Sequence, residues 1–365
     1  MLRLAAVAAA MALGWATLEL RSMIERNEES VLAMAEAQPR PPSQPTSQPH
    51  PYPPRPSPVG PEPDAQRPAE VACEPERVDV DDGVPRTARA VEAALREHGL
   101  LERGRAWLGR LSAVGGGRDT LVFVPDGIDL DAPIQLVVYM EGHGSFADAA
   151  MEHRHASAIE RLVARSTNVV YVAPDAPSSA HGNRTAKTPY WVAGCGERRC
   201  RGGHAAPGDF VVFLEQALAK IGDLTCADAA ALDVHLHLVG FSNGGKGVWG
   251  AVTQLEAAEF RVGGRAIALA DVVFADANYG SAWLDDTWRV LAARDASLTI
   301  LVIDGSFTGT ERAGGNRRRA AAFLRAAGPS ERIRLVPLRA SHHGVGDAAV
   351  DHLGIRANGD VLAGS

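Results

Sequence analysis

From about residue 119 onward, short apolar runs alternate along the chain with longer amphipathic segments. The runs are rich in Val, Ile and Leu and occupy 120–125, 134–140, 168–174, 234–241, 271–277, 298–305 and 332–338. Several are continuously apolar, which is typical of strands that are covered on both faces. The predicted helices between them lie at 147–165, 208–222, 243–258, 281–294 and 314–327. This alternation predicts an α/β fold with a mostly parallel, doubly wound sheet and helices on both sides.

A serine between glycines follows one of these predicted strands. In a sheet of this kind, reactive groups gather beyond the carboxyl ends of the strands. The run 234–241 leads into GFSNG (240–244), where a strand must turn at once into a helix. The turn exposes the serine hydroxyl at the positive end of that helix, while the glycines let neighbouring segments pass close by. Ser242 is therefore predicted to be a nucleophile, with the backbone N–H of Asn243 as an oxyanion donor; a purely structural turn is the alternative.

This arrangement resembles the α/β-hydrolase superfamily, of the serine esterase type. The resemblance covers roughly 119–355 and rests on GFSNG, on EGHGS (141–145) after an earlier strand, and on a histidine after the last strand. It implies a second oxyanion donor from the loop that holds EGHGS, and the backbone N–H of His143 is assigned that role. Glu141 stands where a histidine is usual, and a register shifted along the loop would make Ser145 the donor instead.

A serine hydroxyl is a poor nucleophile until a base removes its proton, and imidazole has a suitable pKa near neutrality. His342 and His343 follow the last predicted strand, which is where the family places its base. The chain order of serine, acid and histidine is also the order of the family. The sequence does not choose between these two neighbouring histidines.

The carboxylate that would orient the imidazole is predicted to be Asp276, near the end of the run 271–277. Many family members take the acid from beyond the penultimate strand, so Asp304 and Glu311 are the alternatives. Other members take it from the strand before, which suits Asp276. Each carboxylate could instead accept hydrogen bonds from the N–H groups of its own turn. A triad of this kind needs no metal and no organic cofactor.

The first 70 residues have a different composition. Residues 4–18 are apolar and uncharged, and as a helix they would be about 22 Å long, short of the ~30 Å of a bilayer core. This suits a signal peptide or a marginal membrane anchor, so 1–30 is predicted to be one of the two. Residues 31–70 are predicted to be a Pro-rich disordered spacer, because 39–68 holds 13 of the 23 prolines.

The remainder, 71–365, is predicted to be the catalytic domain of an exported protein, periplasmic at the inner membrane or secreted. Four cysteines suit an oxidising compartment. Cys195 and Cys200 are close enough in sequence to bridge, which would leave Cys73 for Cys226, although four cysteines allow three pairings. The net charge of −7 and the pI near 6.0 argue against a nucleic-acid partner.

A long insertion at about 175–207 is predicted to be a lid or binding loop over the site. The predicted function is a serine hydrolase that cleaves an ester or amide bond in a small molecule or polymer through an acyl-enzyme. One alternative is a catalytically inactive hydrolase-fold module that binds a partner at the cell envelope. Another is a metal-dependent hydrolase that uses the histidine-rich loops. The oligomeric state is left open.

Overall fold

The computed structural model describes residues 77–80, 85–111, 118–142, 149–174, 210–277, 281–304 and 311–355. All of them lie in one unit of the chain, Val71–Ser365. The predicted signal or anchor, the Pro-rich spacer and the whole insertion at 175–207 lie outside these residues. None of the helices described here combines the length and the apolar character that a membrane span requires.

Nine strands form one central sheet in the order β1-β2-β3-β5-β4-β6-β9-β10-β11, and β7 and β8 form a separate two-stranded ribbon. Strand β3 is antiparallel to both of its neighbours, and every other pair in the large sheet is parallel. The strands are β1 (Val78–Val80), β2 (Gly104–Leu111), β3 (Arg118–Pro125), β4 (Ile134–Met140), β5 (Val169–Pro174), β6 (Val234–Phe241), β7 (Arg261–Val262), β8 (Arg265–Ala266), β9 (Ala268–Ala275), β10 (Ser297–Ile303) and β11 (Ile333–Leu338).

Helices cover both faces of this sheet. They are α1 (Pro85–Glu97), α2 (Ala149–Arg165), α3 (Phe210–Thr225), α4 (Gly244–Ala257), α5 (Ser281–Ala292), α6 (Glu311–Ala327) and α7 (His342–Ala348), with 3₁₀ turns at Ala229–Ala231 and Ala349–His352. Helices α3 to α6 contribute to the core on one face, and α1, α2 and α7 to the core on the other. The predicted doubly wound, mostly parallel α/β architecture is therefore confirmed.

Strand β4 shows why the central runs are continuously apolar. Leu136 and Val138 belong to the core under α3 to α6, whereas Val137 and Tyr139 belong to the core under α1, α2 and α7. Successive side chains of a strand point to opposite faces, so a strand covered on both faces needs an apolar residue at every position.

Some elements depart from the sequence prediction. Strand β2 and helix α1 precede residue 119, and neither was predicted; glycine and arginine interrupt the apolar pattern of β2. The two late histidines follow the last strand, as predicted, and they occupy the first turn of α7, which Ser341 caps by accepting a hydrogen bond from the N–H of Gly344 at 3.1 Å. This cap fixes where the helix starts and therefore where both imidazoles lie.

Candidate functional site

Ser242 lies on a strained turn between β6 and α4. Its φ of +54° is in the left-handed region, which residues other than glycine rarely adopt. The turn is also tightly packed: a Cβ atom at Gly240 would lie 2.8 Å from the carbonyl oxygen of Gly244, and one at Gly244 would collide with the carbonyl of Met140. Only glycines fit at these positions, so the predicted sharp turn from strand to helix, called the elbow below, is present around Ser242.

The loop after β4 passes directly over Ser242. A Cβ atom at Gly142 would lie 2.9 Å from Ser242 Oγ and 3.0 Å from the backbone nitrogen of Asn243. Ser242 is consequently 8% exposed, which is less open than the sequence suggested. The glycine leaves just enough room for the hydroxyl and brings a second backbone segment to the place where an oxyanion would form.

The backbone N–H of Asn243 lies at this place as well. Asn243 is the N-cap residue of α4, and the first N–H groups of a helix have no acceptor within the helix. They also lie at its positive end, which favours a developing negative charge. His143, the second predicted oxyanion donor, lies outside the described residues, and its assignment stays a prediction.

His342 pairs with Asp276. Its Nδ1 lies 2.6 Å from Asp276 Oδ2, and the carboxylate belongs to a residue that is 3% exposed. An ionised carboxylate only accepts hydrogen bonds, so Nδ1 carries the proton and Nε2 keeps its lone pair. The imidazole ring lies 4.7 Å from the ring of Phe241, the residue before Ser242, and 34% of the His342 side chain is exposed. The imidazole of His342 thus lies beside the residue that precedes Ser242.

His343, the neighbouring candidate, has a different partner. Its Nδ1 lies 3.0 Å from Nη2 of Arg154, and a guanidinium can only donate. The structure therefore brings His342, rather than His343, to the carboxylate of Asp276.

The two alternative acids occupy other surroundings. Asp304 accepts from Arg317 at 3.2 Å and lies 3.8 Å from Arg339, at the exposed edge beyond β10. Glu311 begins α6, and its side chain lies outside the described residues. Among the carboxylates of the described residues, Asp276 is the one that contacts His342.

Asn316 on α6 also holds Asp276, and sequence reasoning missed it. Its Nδ2 lies 2.6 Å from Asp276 Oδ1 and 3.3 Å from the backbone carbonyl oxygen of Asp276. Asn316 is 1% exposed, and Asp276 has a φ of +45°. The amide therefore fixes both the carboxylate and the left-handed backbone of the same residue. No local pattern around Asn316 could have revealed a contact with a residue 40 positions away.

A second group of serine, histidine and aspartate lies within the strands. His237 Nδ1 is 2.8 Å from Asp271 Oδ2, and His237 Nε2 is 2.9 Å from Gln135 Oε1. Ser297 donates to the other oxygen of Asp271, and the N–H of Gly354 donates to Oδ2. His237 is therefore a buried strand residue with both ring nitrogens hydrogen-bonded.

His155 and Cys226 are two further described residues that bear on the metal-site and disulfide predictions. His155 hydrogen-bonds to the hydroxyl of Tyr171 at 2.6 Å, and burial, with Arg154 nearby, lowers its pKa to about 3. The described residues contain no group of three or more His, Cys, Asp or Glu side chains arranged to hold a metal ion. Cys226 is disulfide-bonded; the other three cysteines lie outside the described residues, so the predicted pairing stays a prediction.

No protein-family profile matches the chain, and no curated protein matches it. Solved structures similar to it include a dienelactone hydrolase from Anabaena variabilis, 14% identical over 68% of this chain and 93% of that chain, with a TM-score of 0.39. A feruloyl esterase module from Clostridium thermocellum is 14% identical over 68% and 88%, with a TM-score of 0.42. A siderophore hydrolase from Aspergillus nidulans is 12% identical over 67% and 94%, with a TM-score of 0.44.

The sheet with helices on both faces, and the elbow at the end of β6, give the chain an α/β-hydrolase fold. At such low identities, the roles of individual residues follow from the geometry of this chain alone.

Proposed function

We propose that the chain is a serine hydrolase that cleaves carboxylic esters through an acyl-enzyme. The observation that carries this proposal is the 2.6 Å contact between His342 Nδ1 and the buried Asp276, beside the strained Ser242. A pair held in this way gives the imidazole one defined tautomer, with Nε2 free to accept a proton.

In the proposed reaction, His342 Nε2 takes the proton of Ser242 Oγ while Oγ attacks the carbonyl carbon of the ester. The negative charge that develops on the carbonyl oxygen is stabilised by the N–H of Asn243 and, as the sequence predicts, by that of His143. The intermediate then expels the alcohol, which takes the proton from His342. Asp276 stabilises the imidazolium throughout.

A water molecule completes the cycle. His342 removes one proton from this water while the water oxygen attacks the acyl carbon. The second intermediate then collapses, which releases the carboxylic acid and returns the proton to Ser242 Oγ. An amide would follow the same steps with an amine as the leaving group. We propose that the substrate is a small molecule or a polymer that reaches the site past the insertion at 175–207.

We also propose that the protein is exported, with residues 4–18 as a cleaved signal or an anchor. The disulfide bond of Cys226 supports an oxidising compartment, because disulfides are rare where thiols are kept reduced.

A serine-directed phosphonate tests the nucleophile. The full chain is treated with an aryl phosphonate and digested, and the labelled peptide is identified; the hydrolysis of a short-chain aryl ester is measured in parallel. We expect labelling at Ser242, and we expect Ser242→Ala to lose labelling and at least about 10⁴-fold in kcat. Ser297→Ala is the matched control, because Ser297 also contacts an aspartate in a cluster with a histidine. We expect this variant to be labelled at Ser242 and to keep the kcat of the wild type.

Ester hydrolysis that is equal in the wild type and in folded Ser242→Ala would contradict the proposed mechanism. A folded wild-type chain that is neither labelled nor active on esters and amides would instead favour the binding module. Activity that a chelator abolishes, and that survives Ser242→Ala, would favour the metal-dependent alternative.

A further inference from the structure

The guanidinium of Arg154, on α2, contacts three residues, and each of them is next in sequence to a residue of the proposed site or of the loop that covers it. It contacts Glu141, Phe241 and His343. These residues adjoin Gly142, Ser242 and His342, in the same order. Arg154 itself is 5% exposed, so it is a buried part of the structure rather than a surface charge.

The first contact reaches the loop that covers the nucleophile. Arg154 Nη1 lies 3.2 Å from both carboxylate oxygens of Glu141, which is 3% exposed. The Glu141 carboxylate also accepts a hydrogen bond from the backbone N–H of Gly142. Since Gly142 lies against Ser242 Oγ, the ion pair fixes the peptide plane that leads into the predicted oxyanion donor. The glutamate that replaces the family's usual histidine therefore has a structural partner.

The second set of contacts reaches the helix that carries the base. Arg154 Nε lies 2.6 Å from Asp347 Oδ1, and Nη2 lies 3.0 Å from His343 Nδ1. Both residues are on α7, whose first residue is His342. The same side chain thus holds α7 at two points, close to the imidazole that pairs with Asp276.

The third contact reaches the elbow. The guanidinium carbon of Arg154 lies 4.6 Å from the ring centroid of Phe241, a cation–π arrangement. The imidazoles of His342 and His343 also lie near this ring, with centroids at 4.7 Å and 6.2 Å. Phe241 therefore lies near both the guanidinium and the imidazoles and links the position of Ser242 to both.

Charge balance makes the pair of Arg154 and Glu141 a unit. Burial alone would lower the pKa of Arg154, but Glu141, Tyr139 and Asp347 raise it above its ordinary value, so the guanidinium stays charged. Burial raises the pKa of Glu141, and Arg154 opposes that effect. Removing Arg154 leaves Glu141 buried without its guanidinium, and removing Glu141 leaves Arg154 with only the half-exposed Asp347 among its carboxylate partners described here; both changes are unfavourable.

We infer that Arg154, together with Glu141, is a positioning residue for the hydrolytic site. It fixes the positions of the loop after β4 and of helix α7, which begins with His342, relative to the turn at Ser242. The contacts described for Arg154 are to Glu141, His343, Asp347 and Phe241, and we infer that it acts through them rather than on the reacting atoms. This inference rests on the proposed serine-hydrolase function. Its signature is a loss of kcat with little change in KM, because misplaced groups fail in the transition state rather than in substrate binding.

The test compares Arg154→Lys and Arg154→Met with Arg165→Met in the full chain. Arg165 is the matched control, since it also projects from α2 and donates to the carbonyls of Val350, Leu353 and Ile355, in the segment after α7. For aryl ester hydrolysis we expect kcat to fall roughly 10- to 100-fold in both Arg154 variants, with KM within about threefold of the wild type. Lysine keeps the positive charge, but its ammonium group cannot contact Glu141, helix α7 and the Phe241 ring at the same time. Arg165→Met should lower the unfolding temperature and keep kcat.

Two further variants cover the case in which Arg154 variants fail to fold. Glu141→Gln/Arg154→Met removes both buried charges, and Asp347→Asn weakens one contact whose carboxylate side chain is 49% exposed. We expect the double variant to fold and remain slow, and Asp347→Asn to lose a few-fold in kcat. Folded Arg154 variants, or a folded double variant, with wild-type kcat would overturn the inference. An inactive wild type would instead refute the proposed function, so the two failures are distinguishable.

Discussion

The central sheet carries two clusters of serine, histidine and aspartate on neighbouring strands. The elbow cluster is Ser242, Asp276 and His342, beyond the carboxyl ends of the strands. The strand cluster is His237, Asp271 and Ser297 with Gln135, paired across β6, β9 and β10. Asp271 and Asp276 are five residues apart, which is roughly 16 Å along a strand. The residue types are the same, and the surroundings decide what each cluster can do.

The two imidazoles differ in exposure and in partners. His342 has 34% of its side chain exposed and one nitrogen held by Asp276, whereas the His237 side chain is 1% exposed and both of its nitrogens have hydrogen-bond partners. A base needs a nitrogen that can accept a proton from a nucleophile. His237 offers none, and Ser297 donates to Asp271 instead of to the imidazole.

The backbones differ in the same way. Ser242 and Asp276 both have positive φ, at +54° and +45°, and the elbow cluster is held by close glycine contacts. The strand cluster lies within the strands, where the pairing of β6 with β9 shifts register at His237, and it binds the N–H of Gly354, so it ties the segment after α7 to the sheet. Backbone strain at one cluster and full hydrogen bonding at the other distinguish the proposed catalytic site from a structural network.

The histidines give the sharpest contrast. We expect His342→Gln to lower kcat for an aryl ester by about 10⁴-fold or more, because the variant lacks the base that the proposed mechanism assigns to the serine proton. His237→Gln should keep kcat within about threefold and lower the free energy of unfolding by roughly 1–3 kcal/mol, as buried partners lose a hydrogen bond. Steady-state kinetics and urea unfolding of both variants check this, and the reverse pattern would invalidate the comparison.

The aspartates should show a similar but smaller difference. Asp276→Asn is expected to lower kcat by about 10³-fold, because an amide can no longer hold the imidazole in one tautomer. Asp271→Asn should leave kcat nearly unchanged and cost roughly 2–3 kcal/mol of stability, since three donors lose a charged acceptor. A large kinetic defect in folded Asp271→Asn would mean that the strand cluster takes part in catalysis.

Asn316 sharpens the assignment of the acid. Asn316→Ala is expected to lower kcat about 10-fold, because Asp276 Oδ1 loses a buried donor. Arg317→Met, at the next position of α6, removes the partner of Asp304 and should be kinetically silent. Kinetics of the two variants at equal folded fraction check this. A larger loss in Arg317→Met would return Asp304 as the acid.

The smallest effect concerns acid stability. Burial would raise the pKa of Asp271, but hydrogen bonds from His237, Ser297 and Gly354 lower it below its ordinary value. The unfolded chain therefore binds this proton at a higher pH than the native chain. The stabilisation is present above the unfolded pKa of about 4 and is lost as pH falls through the lower native value. Urea unfolding from pH 6 to pH 3 should show a shallower acid decline in Asp271→Asn than in the wild type; equal slopes would contradict it.

Most of the sheet could be predicted from the sequence, and the exceptions have physical reasons. Strands β4 and β6 have the bounds that their apolar runs predicted, because a strand buried on both faces is apolar at every position. Strand β2 was missed because Gly104, Arg105, Gly109 and Arg110 dilute that signal. The site followed the strands: Ser242 and Asp276 were proposed because each lies where a strand ends.

The sequence by itself determined the α/β class and the glycine-flanked serine at the end of a central strand, because these depend on local periodicity and local backbone sterics. The tertiary structure decided which imidazole meets a carboxylate, and it brought Asn316 to Asp276 and Arg154 to Glu141. The pair of His342 and Asp276 spans 66 positions, and the two neighbouring histidines have different partners because of what α7 packs against. Contacts at such separation leave no periodic trace in a single sequence, because they are set by how the helices and strands pack.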